Sequence, residues 1–290
     1  MELSVERLTK QYNNKIIVDK IDFKLNEGIY GFLGENGAGK TTLMRMICGI
    51  LSPTSGEVKV DGKNNLDMGE DFRDMIGYLP QNFGYYPDFT AKEFMLYIAS
   101  LKGLMPSYAK RKTQELLEMV GLSEVINKKI RTFSGGMKQR LGFAQTLLND
   151  PKILILDEPT AGLDPKERVK FRNLISEFSK EKIVILSTHI VSDVEYIADK
   201  ILIMKKGRFV LTGSVEEVTS KIKDKVWKCV VNENEIDYMS DRYCLANIHH
   251  SGGVANLRIV SDIKPHDNAC NLKPTLEDLY IVSTKYYKYT

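Results

Sequence analysis

Apolar positions in this chain fall into three kinds of pattern. The first is the short continuous run: Ile29-Tyr30-Gly31-Phe32-Leu33, Ile153-Leu154-Ile155-Leu156 and Ile183-Val184-Ile185-Leu186. Such runs predict strands, the last two buried on both faces of a parallel sheet. The second is alternation. Leu3-Val5 and Ile21-Phe23-Leu25 lie either side of a turn at Asn13-Asn14-Lys15, and Val58-Lys59-Val60 runs into Asp61-Gly62; both predict hairpins. The third has helical spacing. Leu43, Met46, Ile47 and Ile50 form one such stripe, Phe94, Tyr97, Ile98 and Leu101 another. Leu116, Leu117 and Val120 resume the second stripe after a break at Leu104-Met105-Pro106-Ser107. Leu141, Ala144, Gln145 and Leu148, then Phe171, Leu174, Ile175 and Phe178, predict two more helices. Ile76 to Leu79 reads as a strand ended by Pro80, which puts Gln81 at a strand tip entering a loop.

Residues 216–290 carry a weaker pattern. Trp227, Cys229 and Val231 alternate, as do Leu257 and Ile259, and Ser251-Gly252-Gly253 reads as a turn, so a small sheet is expected. Thr275-Leu276-Glu277-Asp278 fits a capping box that opens a last helix. The terminal Lys285-Tyr286-Tyr287-Lys288-Tyr289 reads as a solvated tail, with contact to a lipid surface as the alternative.

Composition narrows the class. A chain of 290 residues suits one large domain and a small one, with a substantial core. Its net charge, 41 − 38 = +3, is too weak to argue for nucleic acid. The cysteines Cys48, Cys229, Cys244 and Cys270 contain no C-x-x-C pair, which favours free thiols over a disulfide framework. Cys244, His249, His250 and Cys270 fit no common zinc spacing. The charged start, Met1 to Arg7, is not a signal peptide, and no apolar run approaches the ~18 residues of a membrane span.

The chemistry gathers at the ends of the predicted strands. Gly34-Glu35-Asn36-Gly37-Ala38-Gly39-Lys40-Thr41-Thr42 has the spacing G-x-x-x-x-G-K-[ST], and it stands between a strand and a helix. Glycines let successive N–H groups turn inward around a phosphate. Lys40 adds a charge for the outer phosphates, and the Thr41 hydroxyl reaches a magnesium ion. A nucleoside triphosphate site follows. Asp157-Glu158 ends a buried strand, where two carboxylates serve a metal and an attacking water better than they serve packing. His189 ends the next strand as a candidate phosphate donor. Ser134 caps a helix that starts with Gly135-Gly136, a costly pair unless a ligand approaches closely. Asp164-Pro165 caps the following helix. Tyr12 reads from spacing alone as a half-buried strand aromatic. Phe83, Tyr85, Tyr86 and Phe89 crowd the loop after Gln81 and fit either a packed lid or a partner surface.

In this order, Tyr12, Gly34 to Thr42, Gln81, Ser134-Gly135-Gly136, Asp157-Glu158, Ala161-Gly162-Leu163-Asp164 and His189 resemble an ATP-binding cassette (ABC) protein, over about residues 3–212. The resemblance implies an α/β fold: a P-loop NTPase parallel core with an antiparallel β subdomain and a helical subdomain at about 88–150. That domain would span 1–215, with a small C-terminal α+β domain at 216–290. It also implies roles. Tyr12 would stack on adenine, and Gly34, Asn36, Gly37, Ala38, Gly39, Lys40, Thr41 and Thr42 would hold the triphosphate of ATP. Thr41, Gln81 and Asp157 would serve Mg²⁺. Glu158, His189, Gln81 and Lys40 would carry catalysis. Ser134, Gly135 and Gly136 would cap the nucleotide of an opposing subunit, so an ATP-dependent homodimer or pseudo-symmetric dimer is expected. The chain would sit in the cytoplasm, at the inner face of the membrane, through a separate integral membrane permease.

The usual signature of the family is Leu-Ser-Gly-Gly-Gln, and here Phe133 and Met137 replace its ends. This variant, with Pro274 to Tyr280, resembles the branch that exports drugs, antibiotics and lipids. Importer subunits share the same core. Soluble cassette proteins usually carry two cassettes or a long coiled-coil insertion, whereas Gln81 to Ser134 is only 134 − 81 = 53 residues.

Overall fold

The computed structural model describes residues 1–285; the tyrosine-rich end after Lys285 lies outside the described residues. Alternating apolar residues build β1 (Leu3–Tyr12) and β2 (Lys15–Leu25), an antiparallel hairpin with Asn13 at φ 50° in its turn. The next strand, β3 (Gly28–Leu33), is apolar throughout and delivers the glycine loop to α1 (Lys40–Ile47). Helix α1 stops one turn short of the predicted stripe. Gly49 adopts φ 70°, its N–H bonds the Met46 carbonyl at 3.0 Å, and Ile50 is turned outward, 63% exposed.

β4 (Ser55–Val60) and β5 (Lys63–Asn64) pair as expected, and β4 joins β1 to complete a four-stranded antiparallel sheet, β2-β1-β4-β5. After α2 (Glu70–Met75), β6 (Ile76–Leu79) ends at Pro80. The helical insertion follows. It comprises α3 (Ala91–Leu101), with a Thr90–Glu93 capping box, α4 (Pro106–Met119), with proline in its first turn, and α5 (Gly135–Thr146), capped by Ser134.

The chain returns through β7 (Ile153–Asp157), α6 (Pro165–Phe178), β8 (Ile183–Thr188), α7 (Val191–Glu195), β9 (Lys200–Lys205) and β10 (Arg208–Gly213). The central sheet has the order β10-β9-β3-β8-β7-β6, parallel except for the edge strand β10. One of its faces shares a core with the antiparallel sheet and α1, through Phe32, Leu43 and Met44. The other face is covered by the helices, through Phe94, Phe143 and Phe171.

Helix α8 (Val215–Ser220) crosses the position where the smaller region was expected to begin. Beyond it, β11 (Val226–Asn232), α9 (Ile236–Arg242), β12 (Cys244–Ser251), β13 (Val254–Val260) and β14 (Cys270–Asn271) make a second antiparallel sheet, β12-β13-β11-β14. Cys229, Val231, Leu257 and Ile259 give it a small core of its own. The last helix, α10 (Leu276–Lys285), does not stay with that core. Leu276 and Leu279 are buried in the larger cluster of the central sheet.

Among the described residues no helix is long and apolar enough to cross a membrane, and no three His, Cys, Asp or Glu side chains group as a metal site.

Candidate functional site

Three neighbouring strands set the site. In the parallel register Leu33 lies opposite Thr188 and Asp157 opposite Ser187, so the residues that follow β3, β7 and β8 emerge side by side. Ligands of open parallel sheets bind at this end.

The glycine loop is held closely at both ends. A Cβ on Gly34 would stand 2.5 Å from the Met204 carbonyl oxygen, and Gly39 takes φ 108° with the Ile17 carbonyl 2.7 Å from its Cβ position. Side chains are excluded by packing and by dihedral alike. Glu35, Asn36 and Gly37 are exposed at the crest, Ala38 is buried, and Thr41 and Thr42 sit half-buried in the first turn of α1. Lys40 is 6% exposed. Its Nζ donates to the Gly34 and Glu35 carbonyls at 2.6 and 3.2 Å and lies 3.5 Å from Glu158 Oε1. Burial lowers the Lys40 pKa, and the carboxylates of Glu158 and then Asp157 oppose that shift. The ammonium is thus held inside the loop that needs it.

Asp157 is fully buried. Its Oδ1 accepts from Ser187 Oγ at 2.5 Å, while Oδ2 has no partner. A buried carboxylate oxygen left open costs about 1–3 kcal/mol or more, and such an atom calls for a ligand. Glu158 is strained as well as buried. Its φ of 49° is unfavourable for a side chain with a Cβ, and its N–H bonds Ser187 at both the carbonyl and Oγ, each 3.1 Å. The strain aims the carboxylate at two partners, Lys40 through Oε1 and His189 Nδ1 through Oε2 at 2.8 Å. His189, half-exposed, borders solvent.

Lys40, Asp157, Glu158 and His189 therefore converge, and the other expected residues stand apart from them. Gln81 is exposed just past the tip of β6, outside the hydrogen bonds of the cluster. Tyr12 ends β1 with 49% exposure, and the Lys10 ammonium lies 5.1 Å from its ring centre. Ser134 accepts from the Met137 N–H at 3.2 Å. Ser134 and Gly135 are exposed, and a Cβ on Gly135 would meet nothing within 4 Å. Gly136 instead packs on Glu167 of α6, whose carboxylate lies 3.5 Å from Arg140. Gly135 is thus open to solvent, while Gly136 is closed off by α6. The aromatic loop divides: Phe83 and Tyr85 pack on the helical core, while Tyr86 stays 49% exposed.

Two contacts were not foreseen. Ser187 joins Asp157 to Glu158; its one signal is a hydroxyl at the end of an apolar run. Thr160 donates to the fully buried Asp193 of α7, tying the loop after β7 to the helix after β8. Those residues are 33 apart, and nothing local announces the pair. Helix α10 was foreseen, but not its position. Lys205 Nζ donates to the Ser283 and Thr284 carbonyls at 3.2 and 2.6 Å, on the strand beside β3. Burial pushes the Tyr280 phenol up to about 12, and the carboxylates of Glu35 and Glu158 add to the shift.

Known proteins resemble this chain in sequence and fold. The family model described as ABC transporter matches residues 18–161. The chain is 41% identical over 241 residues to the uncharacterized ABC transporter ATP-binding protein YxlF of Bacillus subtilis, covering 83% of this chain and 80% of that one. It is 41% identical over 204 residues to the bacitracin transport ATP-binding protein BcrA of Bacillus licheniformis, covering 69% and 66%. To the linearmycin resistance ATP-binding protein LnrL of B. subtilis it is 36% identical over 222 residues, covering 76% and 71%. Among solved structures, the dimeric post-hydrolysis state of the ATP-binding cassette MJ0796, bound to ADP and Pi, superposes with a TM-score of 0.67 at 26% identity, over 73% of this chain and 98% of that one. With its glycine loop, paired carboxylates and strand-tip histidine in one cluster, the chain belongs to the ABC transporter family, as an ATP-binding subunit.

Proposed function

We propose that the chain is the ATP-hydrolysing subunit of an exporter and works as an ATP-dependent, head-to-tail dimer on a separate membrane permease. The single observation that carries hydrolysis is the position of Glu158. It is buried and strained, and it lies between Lys40 and His189, where a water attacking a γ-phosphate would be oriented. In this reading ATP draws Lys40 off the loop carbonyls onto the β- and γ-phosphates. That frees Glu158 to polarise the water, while His189 contacts the γ-phosphate. The N–H groups of residues 34 to 42 cradle the chain of phosphates. Tyr12, exposed and already carrying a cation on one face, offers its ring to adenine.

Mg²⁺ fits the open Oδ2 of Asp157, with the Thr41 hydroxyl and Gln81 as further oxygen donors. When bound it would neutralise charge on the outer phosphates. The exposed Ser134 and Gly135, with Gly136 behind them, supply what is missing at the γ-phosphate, but only to a second copy. The names of the bacitracin and linearmycin relatives favour export.

A groove of about 710 Å³ between the end of α1, residues 65–78 and the end of α3 suits the permease. Ile50, Leu66 and Leu101 line it and are 63%, 48% and 67% exposed. Docking there would bring the protein to the inner face of the membrane. Residues 216–290 are read as an accessory module anchored by α10.

Glu158→Gln tests the core of this reading. ATP binding should persist and turnover should fall by about 10²-fold or more, because an amide cannot accept from water as a carboxylate does. Light scattering of the variant with ATP should show a dimer. Turnover within a few-fold of the parent would remove Glu158 from the mechanism, and a strictly monomeric variant would remove the shared site.

A further inference from the structure

A cavity of about 620 Å³ lies where the C-terminal sheet meets the larger core, apart from every residue assigned above. Its walls are apolar: Val210 on β10, Ile222 after α8, Val260 on β13, and Leu279 and Val282 on α10. Small-molecule sites are commonly ~300–1,000 Å³ and favour such junctions.

The edge of the cavity is charged. Lys221, Lys225 and Arg242 stand there with a single carboxylate, Asp262. Lys225 is paired with Asp262 at 2.6 Å. Lys221 and Arg242 have no carboxylate partner among the described residues; the Arg242 guanidinium lies instead 5.1 Å from the centre of the Tyr238 ring. An apolar interior with surplus cations at its mouth is complementary to a molecule with an aliphatic body and an anionic head.

We propose that this cavity binds an anionic amphiphile, its chain between α10 and β13 and its carboxylate or phosphate at Lys221 and Arg242. Such a molecule has two sources, a free aliphatic acid and a lipid of the membrane that the permease spans. Both present the same chemistry to the cavity.

Trp227, the chain's only tryptophan, reports on the site. Its indole N–H donates to the Ser261 carbonyl at 3.0 Å, and Ser261 lines the cavity. Dodecanoate below its micellar concentration should change the Trp227 emission saturably and give matching heats by titration calorimetry. Dodecanol and dodecyltrimethylammonium should bind at least about tenfold more weakly, as should the double variant Lys221→Glu/Arg242→Glu. Both substituted side chains are exposed, so the fold should persist, and an unchanged ATP affinity would verify it. Val282→Phe, which fills the space, should abolish binding. Vesicles of phosphatidylglycerol that displace dodecanoate would identify a membrane lipid as the source, and no displacement would identify a free amphiphile; either supports the site. Three results would overturn it: no saturable signal or heat with dodecanoate, dodecanol bound as tightly, or undiminished binding by the charge-reversed variant.

Discussion

Asp157 and Asp278 are both carboxylates about 1% exposed, one at a strand tip of the central sheet and one in the last helix, and the protein treats them differently. Asp278, in the first turn of α10, has every need met. Arg258 of β13 grips it with Nε at 2.6 Å and a terminal nitrogen at 2.7 Å, and the Thr275 N–H and hydroxyl each donate at 2.8 Å. Asp157 has one hydroxyl on one oxygen and nothing on the other. The next residue, Glu158, is strained. A satisfied buried charge organises a fold, and an unsatisfied one awaits a ligand. The C-terminal pair pins a helix, whereas the strand-tip pair leaves a carboxylate oxygen open.

The sharpest way to break that contrast is to neutralise each carboxylate. On the proposed role of Asp157 toward Mg²⁺, Asp157→Asn should lower ATP turnover by about 10²-fold or more. Without nucleotide its melting temperature should be unchanged or higher, because an open buried charge has been removed. Phosphate release and a thermal melt measure the two. A melt lowered by several degrees would mean that Asp157 is structural after all.

Asp278→Ala should do the reverse. Removing one partner of a buried ion pair leaves Arg258 uncompensated and costs about 2–3 kcal/mol, scaled down because Arg258 is partly exposed. Denaturant unfolding followed at Trp227 should show the loss, with ATP affinity within about threefold of the parent. A fall in ATP affinity of tenfold or more would make α10 part of the nucleotide site.

What the sequence revealed divides along the same line. The caps at Ser134, Asp164 and Thr275, the apolar runs ending in Leu33, Asp157 and Thr188, and the turn at Gly252-Gly253 rest on near neighbours, so spacing alone locates them. Features made by distant partners stayed hidden. Strands β9 and β10 drew no expectation. Neither did β12, whose outer half is exposed and whose pairing with β13 slips between Leu245 and Asn247. The return of α10 to the larger core depends on Lys205 and on Leu279, neither of which carries a local signal. Ile50 kept the helical period but not the helix, because Gly49 ends the turn before it. The structure brings Lys40, Asp157, Glu158 and His189 together and leaves Gln81 outside their hydrogen bonds. The strain at Glu158 and its Ser187 tether were not readable, since both arise from register between strands.

Ser187→Ala sharpens the comparison with a smaller effect. The hydroxyl positions Asp157 Oδ1 and shares the Glu158 N–H, so its loss should free the Asp157 carboxylate and leave the Glu158 N–H to the Ser187 carbonyl alone. About 1 kcal/mol of stability should go, and the Mg²⁺ concentration for half-maximal turnover should rise by roughly tenfold. A fall in maximal turnover with an unaltered Mg²⁺ requirement would place the hydroxyl in the chemistry rather than behind it.

The smallest expected effect is one of acidity. Burial pushes the Asp278 pKa up, but Arg258 and Thr275 together outweigh it and hold the group below the ordinary carboxylate value of 3.8. A carboxylate whose pKa is depressed by folding stabilises the fold fully above its unfolded pKa, and loses that contribution as pH falls through its folded one. Helix α10 should therefore stay docked at pH 5 and loosen only below about pH 4. Trp227, on the strand paired with the one that carries Arg258, should report the loosening as a change in emission at fixed low denaturant. Asp278→Asn supplies the control, because it has no charge to lose at that position. If its emission follows the same acid curve as the parent, the transition belongs to other carboxylates, and the pin on α10 is held by packing of Leu276 and Leu279 rather than by the ion pair.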